Sequence, residues 1–428
     1  MTRIKIALPS LLAGVSLLWL IASLPFPEAP GFIQIRNLLV EYSGTLSMAA
    51  MSVAMILAMR MPWLNRWLDG LDKSYRLHKW LGITALVTSV THWLAAQGPK
   101  WAASLGLLQG GRPPRPDVEL TPVQQFFLSQ RGAAEAIGEW AFYGAVLLIA
   151  LALTHRFAYK YFVSTHKLIA VAYLALVWHA FILMDRAAWF QPVGIVTALL
   201  MTGGVISAVL TLLGLIGRKR QAGATIRDIR HFPGMRTTRI EVMMDEGWKG
   251  HEAGQFAFVT FDPREGKHPF TMSSAWDPQT RRLSFVTKAL GDYTDDLPEG
   301  LKIGGRATVE GPYGRFTFDD GKDRQIWIGG GIGITPFIAR MEYLTATPDG
   351  KQIDLIHTTP HIEPEVLELL TEDARAAGIK LHVLVDGDDG LLTAERLRRM
   401  LPDWKSASVW FCGPARFGQT IRRDLAAR

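Results

Sequence analysis

Two apolar stretches of this 428-residue chain each carry a pair of histidines at nearly the same separation. His78 and His92 stand 14 positions apart within Tyr75–Gln97, and His166 and His179 stand 13 apart within Val163–Met184. On an α-helix rising about 1.5 Å per residue, both steps span roughly 20 Å, most of a bilayer core, so the four imidazoles would form two tiers. Ionisable side chains inside a membrane span are costly and point to function. Taken singly, each histidine also reads as a polar residue facing a bundle interior. As a matched quartet they predict metal ligands, and paired axial histidines are one way a protein holds haem iron.

Such ligands need helices at matching depth. Hydrophobic residues make up 49% of the chain and concentrate before residue 217, where six apolar runs stand out: Ile6–Leu24, Leu38–Met59, Tyr75–Gln97, Gly138–Thr154, Val163–Met184 and Val193–Ile216. Each suits a membrane span; the first also admits a signal-peptide reading, but no clear A-x-A cleavage site follows it. A connection rich in Gly and Pro (Gly110, Gly111, Pro113, Pro114, Pro116) separates the third from the fourth. With the N-terminus inside, thirteen Lys and Arg flank the spans inside and six outside, so both termini are expected in the cytoplasm. The third and fifth spans then run parallel. His78 falls level with His166 near the inner face, and His92 with His179 near the outer face. At about 100° per residue, 14 positions return to within about 40° of one helical face while 13 leave about 140°, which predicts a tilt, bulge or turn in the fifth span. Gly82, one turn past His78, leaves room for a flat macrocycle or else for close helix packing. Tyr173, midway between His166 and His179, is expected to be a packed core aromatic. His155 lies off the register.

Composition narrows the classes further. The single cysteine, Cys412, excludes an internal disulfide and any Cys-rich zinc or iron–sulfur site, and its plain reading is a small buried hydrophobe. The net charge of +7 borders the apolar runs and is better explained by membrane topology than by nucleic acid.

After Arg220 the pattern changes to short strands, Arg239–Met243, Gln255–Phe261, Arg282–Lys288 and Arg306–Glu310, with Gly and Pro turns that suggest a small antiparallel barrel. Inside it stands His268-Pro269-Phe270-Thr271-Met272-Ser273-Ser274, where backbone groups and the Thr271 hydroxyl could hold a planar ring system with His268 or Phe270 packed on it. Lys288-Ala289-Leu290-Gly291-Asp292-Tyr293-Thr294 opens a glycine turn that could offer N–H groups to a diphosphate. The last part alternates strand and helix: Gln325–Ile328, Ile353–His357, Lys380–Val385 and Ser408–Phe411 are the strands. The first runs into Gly329-Gly330-Gly331-Ile332-Gly333-Ile334-Thr335-Pro336, in which Thr335 is the expected N-cap and Pro336 the first helical residue. The last delivers Cys412-Gly413-Pro414 to the carboxyl edge of a doubly wound sheet, the edge where ligands bind. No G-K-[ST] follows the glycines, which disfavours a nucleoside triphosphatase.

Together the quartet, His268-Pro269-Phe270-Thr271, the Gly329–Pro336 turn and Cys412-Gly413-Pro414 resemble the ferric reductase and NADPH oxidase superfamily, particularly its bacterial members. The resemblance implies a six-helix di-haem membrane bundle (1–217) fused to a cytosolic antiparallel β-barrel FAD domain (218–320) and a Rossmann-like α/β nucleotide domain (321–428). It implies two b-type haems, on His78 with His166 and on His92 with His179. FAD would meet His268, Pro269, Phe270, Thr271 and Ser273, with Lys288, Gly291 and Thr294 near its phosphates. NADPH or NADH would meet Gly329, Gly330, Gly331, Gly333, Thr335 and Pro336, with Cys412, Gly413 and Pro414 beside the reacting ring; Cys412 and Thr271 are the residues nearest the chemistry. Family members usually finish with a strand and an aromatic by the flavin, where this sequence stops at Asp424–Arg428; the resemblance then implies a more open flavin face. Thr358-Thr359-Pro360-His361 holds neither an Arg for a 2′-phosphate nor an acid for a free ribose, so only the family favours NADPH.

The activity implied is transmembrane electron transfer from cytosolic NAD(P)H to an acceptor at the outer face of a bacterial cytoplasmic membrane. Oxygen, giving superoxide or peroxide, and a ferric chelate are the main acceptors to consider, with a quinone or periplasmic redox partner after them. A different class, a channel or haem-handling protein with a sensory nucleotide-binding domain, is disfavoured by a full reductase module on the inner side.

Overall fold

The computed structural model describes residues 2–26, 28, 30–106, 120–154 and 159–427. They divide into two units, Met1–Ile216 and Gly217–Arg428.

The first unit is helical: α1 (Thr2–Ala22), α2 (Phe32–Ala58), α3 (Pro62–Trp67), α4 (Leu71–Ser104), α5 (Pro122–Leu153), α6 (Tyr159–Leu183), α7 (Arg186–Trp189) and α8 (Pro192–Leu212). Five of these, α1, α2, α5, α6 and α8, are long and apolar enough to cross a membrane. The expected six therefore stand as five plus α4, which is 34 residues long but diluted by Lys73, Arg76, Lys79, His78, His92 and a run of hydroxyls. Those hydroxyls bond back to their own helix, Thr84 to the Trp80 carbonyl and Thr88 to that of Thr84, each at 2.9 Å, so they do not present unpaired groups to a low-dielectric medium.

Small residues set the packing. On α2 the buried set includes Ser43, Ser47, Ala49, Ala50, Ser52 and Ala54, which lets neighbouring backbones come close. α2 accordingly packs against α4 and α8, and α6 packs chiefly against α5. Among the described residues α4 and α6 make no extended contact with each other. α5 starts sixteen positions before Gly138 because Thr121, Pro122 and Gln124 form a capping box with Pro at the first helical turn. The Gly/Pro residues of the preceding connection (Gly110, Gly111, Pro113, Pro114, Pro116) and His155 lie outside the described residues.

The second unit holds two sheets. Strands β1 (Gln221–Phe232), β2 (Thr237–Met244), β3 (Phe256–Thr260), β4 (His268–Thr271), β5 (Arg282–Lys288) and β6 (Arg306–Tyr313) form an antiparallel sheet ordered β4-β3-β6-β1-β2-β5. A bridge between Met272 and Phe285 joins its two edges, curling it around Ile240, Val242, Val259, Leu283, Phe285 and Val309. β1 escaped the sequence pattern because a bulge between Ile226 and Asp228 breaks its alternation. After α9 (Asp292–Gly300) come β7 (Arg324–Gly330), α10 (Thr335–Ala346), β8 (Gln352–Thr359), α11 (Pro364–Ala376), β9 (Lys380–Val385), α12 (Asp386–Asp389), α13 (Ala394–Met400), β10 (Ser408–Cys412) and α14 (Ala415–Ala426). The four strands are parallel, ordered β10-β7-β8-β9. Phe337 and Leu370 cover one face and Leu397 and Ile421 the other, a doubly wound arrangement.

Candidate functional site

The two imidazole tiers form. His78 faces His166 with ring centroids 5.8 Å apart, and His92 faces His179 at 6.2 Å. Two imidazoles bonded at about 2 Å to opposite sides of one metal have centroids about 6 Å apart, so both spacings admit a shared ion. Among the described residues no group of three or more His, Cys, Asp or Glu that could hold a metal ion is found.

Neighbouring backbones orient the rings. Nδ1 of His78 lies 2.9 Å from the Ala54 carbonyl, that of His92 2.8 Å from Val40, and that of His179 2.8 Å from Ala134. A carbonyl only accepts, so these Nδ1 atoms carry the proton and each Nε2 keeps its lone pair for a metal. The residue four positions beyond each acceptor is small: Ala58, Gly44 and Gly138. The two glycines leave room for the rings: a Cβ at Gly44 would meet Nδ1 of His92 at 3.0 Å, and one at Gly138 would stand 2.6 Å from Cε1 of His179 and nearer still to Nδ1. His166 differs. Its Nδ1 is buried without a partner among the described residues, and its ring stacks on Phe162 at 4.9 Å.

This asymmetry explains the 13-residue step. α6 is one unbroken helix, so of the expected tilt, bulge or turn the bulge is absent. His179 leans towards α5 to reach Ala134, while His166 rests on Phe162, and side-chain direction makes up the difference in helical phase. Among the described residues nothing lies within 4 Å of a Cβ added at Gly82, so no described helix packs closely on it. Tyr173 is buried, and its hydroxyl bonds Ser52 Oγ at 2.8 Å beside Gly204, a core aromatic as expected.

In the second unit the Gly-rich turn and Cys412-Gly413-Pro414 meet at the carboxyl edge of the parallel sheet. Cys412 pairs with Gly329 in register, and Gly329 with His357. A Cβ on Gly333 would stand 2.8 Å from the Gly413 nitrogen and nearer still to the Cys412 carbonyl oxygen; one on Gly330 would meet Pro414 at 3.0 Å. Gly331 has φ +56°, the left-handed region. Thr335 is not the N-cap. A 3-10 turn over Gly331–Ile334 runs directly into α10, so Thr335 is already helical and its hydroxyl donates back to the Ile332 carbonyl at 3.1 Å, with Pro336 following in the first turn. Burial pushes the Cys412 thiol up to about 11.

In the barrel, His268, Pro269, Phe270 and Thr271 make up β4, and Ser273 continues it by donating from its backbone N–H to the Ser284 carbonyl. The Thr294 hydroxyl accepts from the Leu290 N–H at 3.0 Å and donates to the Gly291 carbonyl, closing the turn ahead of α9. Tyr293 joins the two stretches: its ring lies on that of His268 at 3.8 Å and 10°. Burial pushes its phenol up to about 12, with Asp262 and Glu265 adding to the effect. No sequence pattern had marked Tyr293; its place one residue before Thr294 was the only signal. Lys288 ends β5 close enough to the buried His357 to add to the downward shift that burial imposes on that imidazole. A cavity of about 290 Å³ opens beside Thr294, lined also by Thr238, Thr287 and Arg236.

Comparison with known proteins agrees with this division. Residues 43–177 match the family described as ferric reductase like transmembrane component, a stretch that includes His78, His92 and His166 and stops two residues short of His179. The chain is 26% identical over 158 residues to the glycine betaine monooxygenase reductase subunit of Chromohalobacter salexigens, covering 33% of this chain and 43% of that protein. It is 23% identical over 314 residues to dual oxidase 2 of Rattus norvegicus, covering 68% of this chain and 19% of that protein. Among solved structures, the ferredoxin reductase in carbazole 1,9a-dioxygenase aligns with 48% of this chain and 65% of that chain at 17% identity and TM-score 0.41. The chain thus spans less than half the length of these curated relatives. Residues 43–177 thus match a ferric reductase like transmembrane component, and the chain is similar to a monooxygenase reductase subunit and, over 68% of its length, to dual oxidase 2, a combination similar to that of the ferric reductase and NADPH oxidase superfamily.

Proposed function

We propose that the chain is a membrane oxidoreductase carrying electrons from NAD(P)H on the cytoplasmic side, by way of FAD and two b-type haems, to an acceptor at the outer face. The observation behind this reading is the pair of level imidazole tiers, each with a centroid spacing that suits one metal ion and with Nδ1 held by backbone on three of four rings. His78 with His166 would hold the inner haem and His92 with His179 the outer. When bound, FAD would supply hydride acceptance and release of electrons one at a time, and haem iron held by His78 with His166 and by His92 with His179 would supply single-electron transfer.

The remaining roles belong to the chain. Thr271 and the β4 backbone would orient the flavin ring; Lys288, Gly291 and Thr294 would lie towards its phosphates, with Ser273 supporting β4. Gly329, Gly330, Gly331 and Gly333 would bring backbone close to a dinucleotide at the start of the 3-10 turn that leads into α10, where the first N–H groups of a helical segment favour an anion. Cys412, protonated at neutral pH, would wall the nicotinamide as a neutral group rather than act as a thiolate. Oxygen is the first acceptor to test, since a relative aligned over 68% of this chain is named an oxidase; a ferric chelate is the second.

The test is anaerobic. Purified protein should show a bis-histidine b-haem spectrum that NAD(P)H reduces when FAD is present, followed by reoxidation on adding oxygen or ferric chelate separately. Absence of that spectrum, or one that NAD(P)H leaves unchanged, defeats the reading, and the faster reoxidant identifies the acceptor.

A further inference from the structure

Among the described contacts, three carboxylates of the nucleotide-binding sheet domain reach across to the barrel. Glu365 pairs with Arg230 at 3.3 Å, with both side chains well exposed, and Glu363 accepts from the Met235 N–H at 3.2 Å. Glu342 makes the most of its position. One oxygen accepts from the Ala275 N–H at 2.9 Å and the other from the Arg282 guanidinium, which also reaches Glu241 at 3.2 Å. Arg239 stands 3.6 Å from Glu241, and Asp373 of α11 faces both Glu342 and Arg239.

The location of Glu342 gives these bonds a consequence. It lies two turns into α10, the helix that the Gly329–Ile334 turn feeds. Ala275 lies four residues past Thr271, in a segment fixed to β5 by the Ser273 N–H on the Ser284 carbonyl and the Ser284 N–H on Ser274 Oγ. A single carboxylate therefore ties the helix behind the nucleotide turn to the strand expected to carry the flavin ring. Arg282 and Glu342 are both partly exposed, so the ion pair adds little to stability; its value is orientation.

We propose that Glu342 is a positioning residue that sets the nucleotide turn against β4 by holding Ala275 and Arg282. The proposal rests on the hydride-transfer reading above. Reacting atoms displaced by about 1 Å can lose roughly 100-fold in rate, so the effect belongs in the hydride step rather than in affinity.

The experiment compares the full-length protein with Glu342→Leu and Glu342→Gln, measuring anaerobic flavin reduction at saturating NADH or NADPH, nucleotide Kd, FAD content, Tm, and hydrogen exchange at the Ala275 amide. For Glu342→Leu the expected result is flavin reduction slowed roughly 10- to 100-fold, with Kd, FAD content and Tm near wild type and faster exchange at Ala275. Glu342→Gln, which keeps an acceptor for that amide, should recover much of the rate. Wild-type reduction rates in Glu342→Leu, unchanged exchange at Ala275, or a rate loss that follows Kd or FAD content would each overturn the proposal. If neither nucleotide reduces the wild-type flavin, the functional reading fails instead, and the exchange measurement still decides whether Glu342 holds Ala275.

Discussion

Replacing Gly138 with alanine tests the outer tier directly. The added Cβ would stand 2.6 Å from Cε1 of His179, where ordinary contact begins at 3.4 Å, and it would be closer still to Nδ1. The ring must shift by about 1 Å, which breaks the 2.8 Å bond to the Ala134 carbonyl; a buried donor left unpaired costs about 1–3 kcal/mol. Loss of a ligand's supporting hydrogen bond typically lowers metal affinity or activity roughly 10- to 100-fold. Helix propensity works in the opposite direction, since alanine favours an interior helical position by up to about 1 kcal/mol, so a general loss of stability is not the expected cause. Gly44→Ala is the matched control: its Cβ would meet His92 Nδ1 at 3.0 Å and Cε1 at 3.1 Å, a strain of a few tenths of an ångström. The assay is haem per protein by pyridine haemochrome with a redox titration of each variant. Gly138→Ala should fall towards one haem per chain, or show a displaced high-spin component, while Gly44→Ala stays near two. Two unperturbed haems in Gly138→Ala, or equal damage in both variants, would refute the argument that the glycine groove orients the ligand.

Three further outcomes follow from the same geometry. His92→Leu should remove the outer haem and the reaction with the external acceptor while NAD(P)H still reduces the flavin in stopped-flow; loss of flavin reduction would mean the tiers are misassigned. Gly333→Ala should cut kcat/KM for NAD(P)H at least about tenfold, because its Cβ would collide with the backbone of Cys412 and Gly413, with haem content unchanged. The native Cys412 thiol should resist maleimide at pH 7.5 and label only as pH nears 11. Its folded value is raised from 9.0, so the folded state holds a proton that the unfolded state releases and stability declines as pH climbs through that interval; rapid labelling at pH 7.5 contradicts this.

The histidine pairs were legible because imidazoles are rare in apolar runs and their spacing converts to depth through a fixed helical rise. Their supports were not. Ala54, Val40 and Ala134 act through backbone carbonyls, which every residue has, and only Gly44 and Gly138 left a trace in residue type. Of the tilt, bulge or turn expected in the fifth span the bulge is absent, and phase counting, which treats a side chain as a radial spoke, did not show that His179 leans to α5 and His166 to Phe162. The early start of α5 was readable in Thr121-Pro122-Val123-Gln124, hidden only by attention to apolar residues. Thr335 was misplaced because glycines can themselves begin a helix through a 3-10 turn. Strands β2, β3, β5 and β6 and all four parallel strands were visible as short apolar runs, but nothing local links Glu342 to Arg282, 60 positions away.

That α4 packs on α2 and α6 on α5, with little between α4 and α6, bears on how the protein is made. α2 and α6 are already joined through α8 and a shared core of Met48, Met55, Ala170, Tyr173 and Met201, so a group held by one histidine of α4 and one of α6 would add a link where the direct packing is thin. On the proposed reading that group is haem, and a binder of the finished state alone would draw the population towards it by mass action. The amount of this protein in cells would then follow haem supply even at constant transcription.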